Sequence, residues 1–421
     1  VTETWVPQRS STRAWVLYDL ANTIFALGVV GLYFPEWLVV DQGRPDAHLA
    51  IAEAVAGAVV IVAAPFVGSR SDHRGKRLPA LVLTTVAAVV ATSLLARFPP
   101  LTSLILLGVA LVAFNIGSVV YDALLPDVSP PGQRGRVSGL GVGLGYIGSF
   151  VGLGIGALTI SRGYPAVFSA LAAGFLVFAV PSFAFIRERP RPRAPGPPPT
   201  IDQVFTRLIE SWKSTRQHRG LTRFLVGRFL YTDAINTLIG GFLAIFAQTE
   251  LGLDSTGSRN LLATAIAFSI LGGVIGARLV DRTGPLRYLR AVLLLWIGAL
   301  LAGVVAAYTG WQPLVWLVGV AGGIALGGTW TSDRVAMVHL SPPERLGEYY
   351  GLYATVGRFA TVLGPLTWTA VADLLGLGRK AALGALTLFV AAAWVVLRGV
   401  SDPEPPQEGL KSDSGGPRGQ S

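Results

Sequence analysis

Apolar runs, each interrupted by a short polar stretch, recur along nearly the whole chain. A helix needs about 20 apolar residues to cross a bilayer. Runs of that kind fall at 14–40, 49–69, 78–97, 101–121, 137–160 and 164–186. After an interruption they resume at 222–247, 260–280, 287–308, 313–337, 349–375 and 380–398. The pattern predicts an all-α membrane protein of about 12 transmembrane helices, arranged as two six-helix sets. The first run reaches full spanning length, which predicts a span and not a cleavable leader. Residues 1–186 and 222–400 are expected to form the two bundles, with 187–221 as a linker and 401–421 as a polar, Pro/Gly-rich disordered tail. The linker opens with Arg187-Glu-Arg-Pro-Arg-Pro-Arg, then places Ile201, Val204, Phe205, Leu208, Ile209 and Trp212 on one helical face. That face predicts an amphipathic helix lying at the membrane surface.

The two sets repeat one another. Asp72-His-Arg-Gly75, after the second run, returns as Asp281-Arg-Thr-Gly284 after the eighth, 209 residues on. Ser129-Pro-Pro131 returns as Ser341-Pro-Pro343 after 212 residues, and Asp19 with Asn22 returns as Asp233 with Asn236 after 214. Three similar shifts, each at the matching helix of the other set, point to an internal duplication. Two parallel repeats with a solute held between them near the midplane are what a rocking transporter requires.

Composition narrows the reading. Only 14% of residues are charged, against about a quarter in a soluble domain, so most of the surface faces something other than water. The absence of Cys excludes disulfides and thiolate chemistry, and His48, His73, His218 and His339 have no metal-ligand spacing, so no metal and no cofactor is expected. The net charge of +10 is explained by its distribution. On one side of the bilayer the loops hold only Arg44, Arg97, Arg162, Arg259, Arg379 and Lys380, while Arg228, Arg334 and Arg358 fall inside runs. Nearly all the other Lys and Arg lie with both termini and the middle loop, which the positive-inside rule places in the cytoplasm. The basic balance therefore reflects topology and not nucleic-acid binding, and the expected location is a bacterial inner membrane.

Particular stretches resemble a known family. Gly68-Ser-Arg-Ser-Asp72-His-Arg-Gly75-Lys-Arg77 is similar to the loop between helices two and three of major facilitator transporters. The resemblance implies that the loop Asp accepts from the start of helix eleven and that the loop Arg pairs with an acid at the end of helix four, where Asp122 stands. Trp15-Val-Leu-Tyr18-Asp19-Leu-Ala-Asn22 resembles the opening of the vacuole-effluxer-like, autophagy-related branch. Tyr121 to Asp127, Arg136-Val-Ser138-Gly139, Arg228-Phe-Leu-Tyr231-Thr-Asp233, and Glu348 to Tyr353 with Gly364-Pro365 resemble later parts of the same branch. Yeast members of it are associated with amino-acid export from the vacuole. This chain departs from the branch at Ala234, where Gly is usual, and at Ser332-Asp333-Arg334, where Ser-Arg-Ser is usual. Its fifth run carries Gly141, Gly145, Gly148, Gly152 and Gly156 but lacks the Gly-Pro pairing of proton-driven drug exporters.

Charges inside a bilayer are costly and mark functional candidates. Asp233 lies near mid-membrane, with Arg228 more than one turn away. Two readings stand: a carboxyl that gains and loses a proton as its surroundings alternate between apolar and Arg-paired, or a permanent ion pair with Arg228 or Arg358. Asp19 is shallower and reads as a gate residue or a solute contact. Asn22, Asn115 and Asn236 either hydrogen-bond a solute or bridge helices. Asp72, Arg74 and Asp281, in the duplicated loops, are read as cytoplasmic gate residues together with Asp122 and Arg334. Asp122 and Arg334, 212 residues apart at matching helix ends, suggest a latch between the halves. Tyr18, Tyr121, Tyr231 and Trp330 read as packing more than as cavity lining.

The function expected is secondary transport of a small polar solute, such as an amino acid, by a monomer using the proton as coupling ion. A lipid or amphiphile exporter on the same fold is the alternative, separable by a laterally open apolar cavity. No nucleotide loop or catalytic cluster supports an enzyme.

Overall fold

The computed structural model describes residues 7–130, 134–189, 200–218, 220–341 and 346–401, and the regular structure in them is helical throughout. The expected tail, 402–421, lies outside the described residues, as does most of the Pro/Arg-rich part of the linker. In chain order come α1 (Arg9–Asp41), α2 (Asp46–Arg74), α3 (Leu78–Ser93), α4 (Pro100–Ala123), α5 (Arg134–Thr159) and α6 (Tyr164–Phe185). The amphipathic α7 (Ile201–Thr215) follows. Then come α8 (Leu221–Thr249), α9 (Ser255–Thr283), α10 (Pro285–Thr309), α11 (Gln312–Leu340), the short pair α12 (Leu346–Phe359) and α13 (Leu363–Thr369), and α14 (Gly378–Arg398). Ten of these are long and apolar enough to cross a bilayer. The other two expected spans take different forms: α3 has 16 residues, and the run 349–375 is divided between α12 and α13.

Helix starts follow from local sequence. α4, α6, α10 and α11 each place a Pro in the first turn, where a missing N–H costs nothing. Gly163 and Gly284 precede two of them with φ of 86° and 87°, a conformation that disfavours any side chain. α7 begins with a capping box in which Thr200 and Gln203 satisfy each other's backbone N–H. It lies against α8 and α12, and Ser214 donates to the Tyr349 hydroxyl at 3.1 Å.

Call the basic end the one where α2 runs into the loop Arg70–Arg77, and the far end the opposite one. At the basic end Glu188 accepts from the N–H groups of Arg77 (2.7 Å) and Leu78 (2.6 Å), capping α3. The Arg77 guanidinium donates to the Ala123 carbonyl at the end of α4. This contact ties the loop to the end of α4, where Asp122 stands. The Asp72 side chain lies outside what is described.

Small residues set the packing within each half. A Cβ on Gly141 or Gly145 would press on Asp19, and one on Gly148 or Gly152 on the α1 backbone. The glycine stripe of the fifth run is thus the seat of α1. In the other half, Gly272 of α9 and Gly323 and Gly327 of α11 bring those two backbones together in the same manner.

The halves meet most closely towards the far end. There α1 and α8 both widen into π-helical turns, at Ile24–Tyr33 and Leu238–Phe242. These turns pack on each other: a Cβ on Gly31 would sit 2.8 Å from the Ile239 carbonyl oxygen, and Gly241, at φ 107°, lies under Pro35. α13 closes on α2 beside them. Asp46 at the start of α2 forms a bidentate pair with Arg379 of α14 (2.8 Å each) and accepts from Trp368 Nε1 at 2.9 Å.

Candidate functional site

Among the described residues, two cavities lie between the halves. The larger, about 320 Å³, is walled by α1 and α5 on one side and by α8, α9, α10 and α11 on the other. Asp19, Thr23, Tyr146 and Ser149 face Ser269, Trp330 and Arg334 across it. Ser269 donates to the Ile266 carbonyl of its own helix at 2.8 Å. Arg334 stands close enough to interact with both Asp19 and Asp122. Asn22 is buried one helical turn from Asp19, and its Oδ1 has no hydrogen-bond partner. The rest of the wall is apolar, with Leu238, Leu261, Ile266 and Leu326 among its residues. An acid on one half and a base on the other, set in an apolar chamber, suit a solute carrying both charges and an apolar body.

The smaller cavity, about 230 Å³, is bounded by α1, α2, α4, α8 and the α12–α13 pair. Asn115, Asn236 and Arg358, three of the residues singled out from the sequence, meet here. The acid of this cavity is Glu53 of α2, not singled out from the sequence although a lone acid within an apolar run was the signal. Glu53 Oε1 is shut off from solvent and has no hydrogen-bond partner. Its carboxyl rests against Gly240, where a Cβ would lie 3.2 Å from Oε1. Asn115 donates to the Leu111 carbonyl of its own helix at 2.9 Å.

Asp233 faces neither cavity. It is fully buried, and its Oδ2 accepts from the Gly364 N–H at 2.8 Å, at the first turn of α13. Three residues on, Asn236 Nδ2 donates to the Ala360 carbonyl at 2.7 Å, just past α12. One side chain thus receives a free N–H of the second segment and the other serves a free C=O of the first, the groups a broken helix leaves unpaired. The permanent ion pair of Asp233 with Arg228 or Arg358 is absent, because both arginines have other acids. Arg228 Nε donates to Asp333 Oδ2 at 3.1 Å, and its guanidinium lies 3.7 Å over the Tyr353 ring. Tyr231 and Tyr353 donate to the same carboxylate at 2.6 and 2.8 Å. Asp333, the residue at which the chain departs from the branch pattern, is therefore the buried counter-ion of Arg228.

Arg358 donates to Asp122 Oδ2 at 2.9 Å, joining α12 to α4 across the halves. Arg334, the residue expected to meet Asp122, stands close enough to interact with the same carboxylate. Arg74 and Asp281 are exposed at the basic end. Tyr18, Tyr121 and Tyr231 are packing residues, and Trp15 stacks on Tyr121 with ring centroids 4.4 Å apart. Trp330, expected to pack, lines the larger cavity.

A bundle of membrane-crossing helices in two halves, enclosing polar-tipped cavities on the plane between them, is the build of a secondary transporter. The chain belongs to the Major Facilitator Superfamily, whose family profile matches residues 20–365 and 224–418. It is 27% identical over 406 residues to the uncharacterized MFS-type transporter YxiO of Bacillus subtilis, covering 90% of this chain and 92% of that one. It is 29% identical over 277 residues to autophagy-related protein 22-2 of Aspergillus clavatus, covering 58% of this chain and 44% of that one. Among solved structures, the crystal structure of a D-xylose–proton symporter superposes with a TM-score of 0.68 over 93% of this chain and 98% of that one, at 14% identity. The protein is an integral membrane transporter and not an enzyme.

Proposed function

We propose that the chain moves an amino acid with a sizeable apolar side chain across a bacterial inner membrane, as a monomer with both termini cytoplasmic, by alternating access coupled to the proton. The observation that carries the solute class is the placing of Asp19 on one half and Arg334 on the other, across an apolar chamber of about 320 Å³. The ammonium of a zwitterion would bind at Asp19 and its carboxylate at Arg334. Such a solute draws the halves together by bridging them, so its binding and the rocking motion share one free energy. The autophagy-related relative and the proton symporter supply the analogy, not the proof. Uptake of a labelled amino-acid panel into proteoliposomes, with and without an imposed proton gradient, tests the reading. Wild-type protein is expected to accumulate L-leucine or L-phenylalanine, and both Asp19→Asn and Arg334→Gln to raise KM more than they lower kcat. Silence across the panel would reject the amino-acid reading.

The apolar share of the wall favours one second reading, export of an amphiphile. Movement of a fluorescent lysolipid that survives Asp19→Asn, with no amino-acid uptake, would establish it.

A further inference from the structure

We infer that Glu53 carries the coupled proton and that Arg358 is the cation that displaces it, an inference that rests on the proton-coupled reading above. A carboxylate removed from water without a counter-charge or hydrogen bonds is strongly unfavourable. Glu53 Oε1 has neither solvent nor partner, although the residue as a whole is half-buried. Its neighbours from α8 are Gly240, Asn236 and Thr237, from α4 Asn115, and from α1 the apolar Ala26 and Val30. The other ionisable side chain on this wall is Arg358, which holds Asp122 at 2.9 Å. The site as it stands therefore accommodates the neutral acid.

The position of Glu53 ties that proton to the conformational cycle. Its carboxyl lies on the seam between α2 and α8, against Gly240 and within the far-end closure. Separation of the halves at the far end would hydrate it and let it ionise, so a proton taken up there favours closure. The Asp122–Arg358 pair spans the halves through α4 and α12. Opening at the basic end must break it, and the guanidinium, already on the wall of the Glu53 cavity, then has one acid in place of another. The Glu53 O–H bond breaks, the proton leaves to water at the basic end, and the carboxylate keeps the electron pair and pairs with Arg358. Arg358 thus alternates between Asp122 and Glu53 as the molecule rocks.

Two readouts on the reconstituted full chain separate this from the transport reading. In the infrared, wild-type protein at neutral pH should show a carboxylic-acid carbonyl band that is lost in Glu53→Gln and is distinct from any component lost in Asp233→Asn, whose Oδ1 is also buried without a partner. The band should persist to higher pH in Arg358→Gln, since the displacing charge is gone. In proteoliposomes loaded with L-leucine, Glu53→Gln should abolish gradient-driven accumulation yet retain pH-independent counterflow, and Glu53→Asp should restore part of the accumulation. A Glu53→Gln variant that accumulates leucine as wild type does, or an infrared band unchanged by that substitution, overturns the inference. If wild type moves no leucine while the band behaves as described, the amino-acid reading falls and the protonated Glu53 stands.

Discussion

A carboxylate at mid-membrane is tolerated only where something receives it, and Asp233 is received by the backbone N–H of Gly364. Its depth suggested a titrating group; in the structure one oxygen serves as a helix cap, while Oδ1 is buried without a hydrogen-bond partner. Asp233→Ala should lower stability by about 0.5–2 kcal/mol, the range for losing a cap, read as a fall in Tm of the detergent-solubilised protein. Asp233→Asn keeps an acceptor oxygen and should stay near wild type; an equal loss for both would mean that charge, not the hydrogen bond, is what matters. The neighbouring acids show what residue-level reading can and cannot reach. Asp19, Asn115, Asn236 and Arg358 were all marked by polarity within apolar runs, and each touches a cavity or the residues that seal one. The partners were not legible. Nothing in the spacing says that Arg228 turns to Asp333, 105 residues away, because that contact depends on how α8, α11 and α12 rotate against each other.

The duplicated Asp-x-x-Asn motif has different work in the two halves. On α8 it caps the break between α12 and α13, whereas on α1 Asp19 lies against an unbroken, glycine-lined α5. The difference lies in the facing helix, where one half has a gap in its hydrogen-bond ladder and the other has room for a side chain. Glycines also set how closely α9 and α11 approach. A Cβ on Gly327 would collide with the Ser269 carbonyl, while one on Gly298 would meet nothing within 4 Å. Gly327→Ala should therefore cost about 1–3 kcal/mol, as overpacking does, and reduce the folded fraction on size-exclusion chromatography. Gly298→Ala is the matched control, expected to be neutral or slightly stabilising because Ala favours the helix.

At the scale of the whole molecule, two ion pairs among the described residues join the halves: Asp122–Arg358 towards the basic end and Asp46–Arg379 at the far end. Asp46 is buried and also accepts from Trp368, so neutralising it leaves Arg379 without its bidentate partner. Asp46→Asn should shift the population towards far-end opening. The chain has no Cys, so spin labels can be attached cleanly at Gln42→Cys and Leu377→Cys. The distance distribution between them should gain a longer component in Asp46→Asn and return in the charge-swapped pair Asp46→Arg with Arg379→Asp. An unchanged distribution in Asp46→Asn would remove the latch from the account.

The sequence by itself determined the solvent of this protein, its helical class, its duplication and its family, because those rest on local quantities: run length, composition, and motifs repeated at a fixed interval. It also placed polar groups within the apolar runs. Which of those groups face a cavity, which cap a broken helix and which neutralise one another was decided only by the tertiary structure. Such roles depend on the rotation and separation of helices far apart in the chain, where an ångström of approach at a glycine settles whether a carboxyl finds an N–H, an arginine or nothing. Glu53 is the clearest case, a single acid in a run of alanines and valines whose isolation appears only once α8 is laid against it.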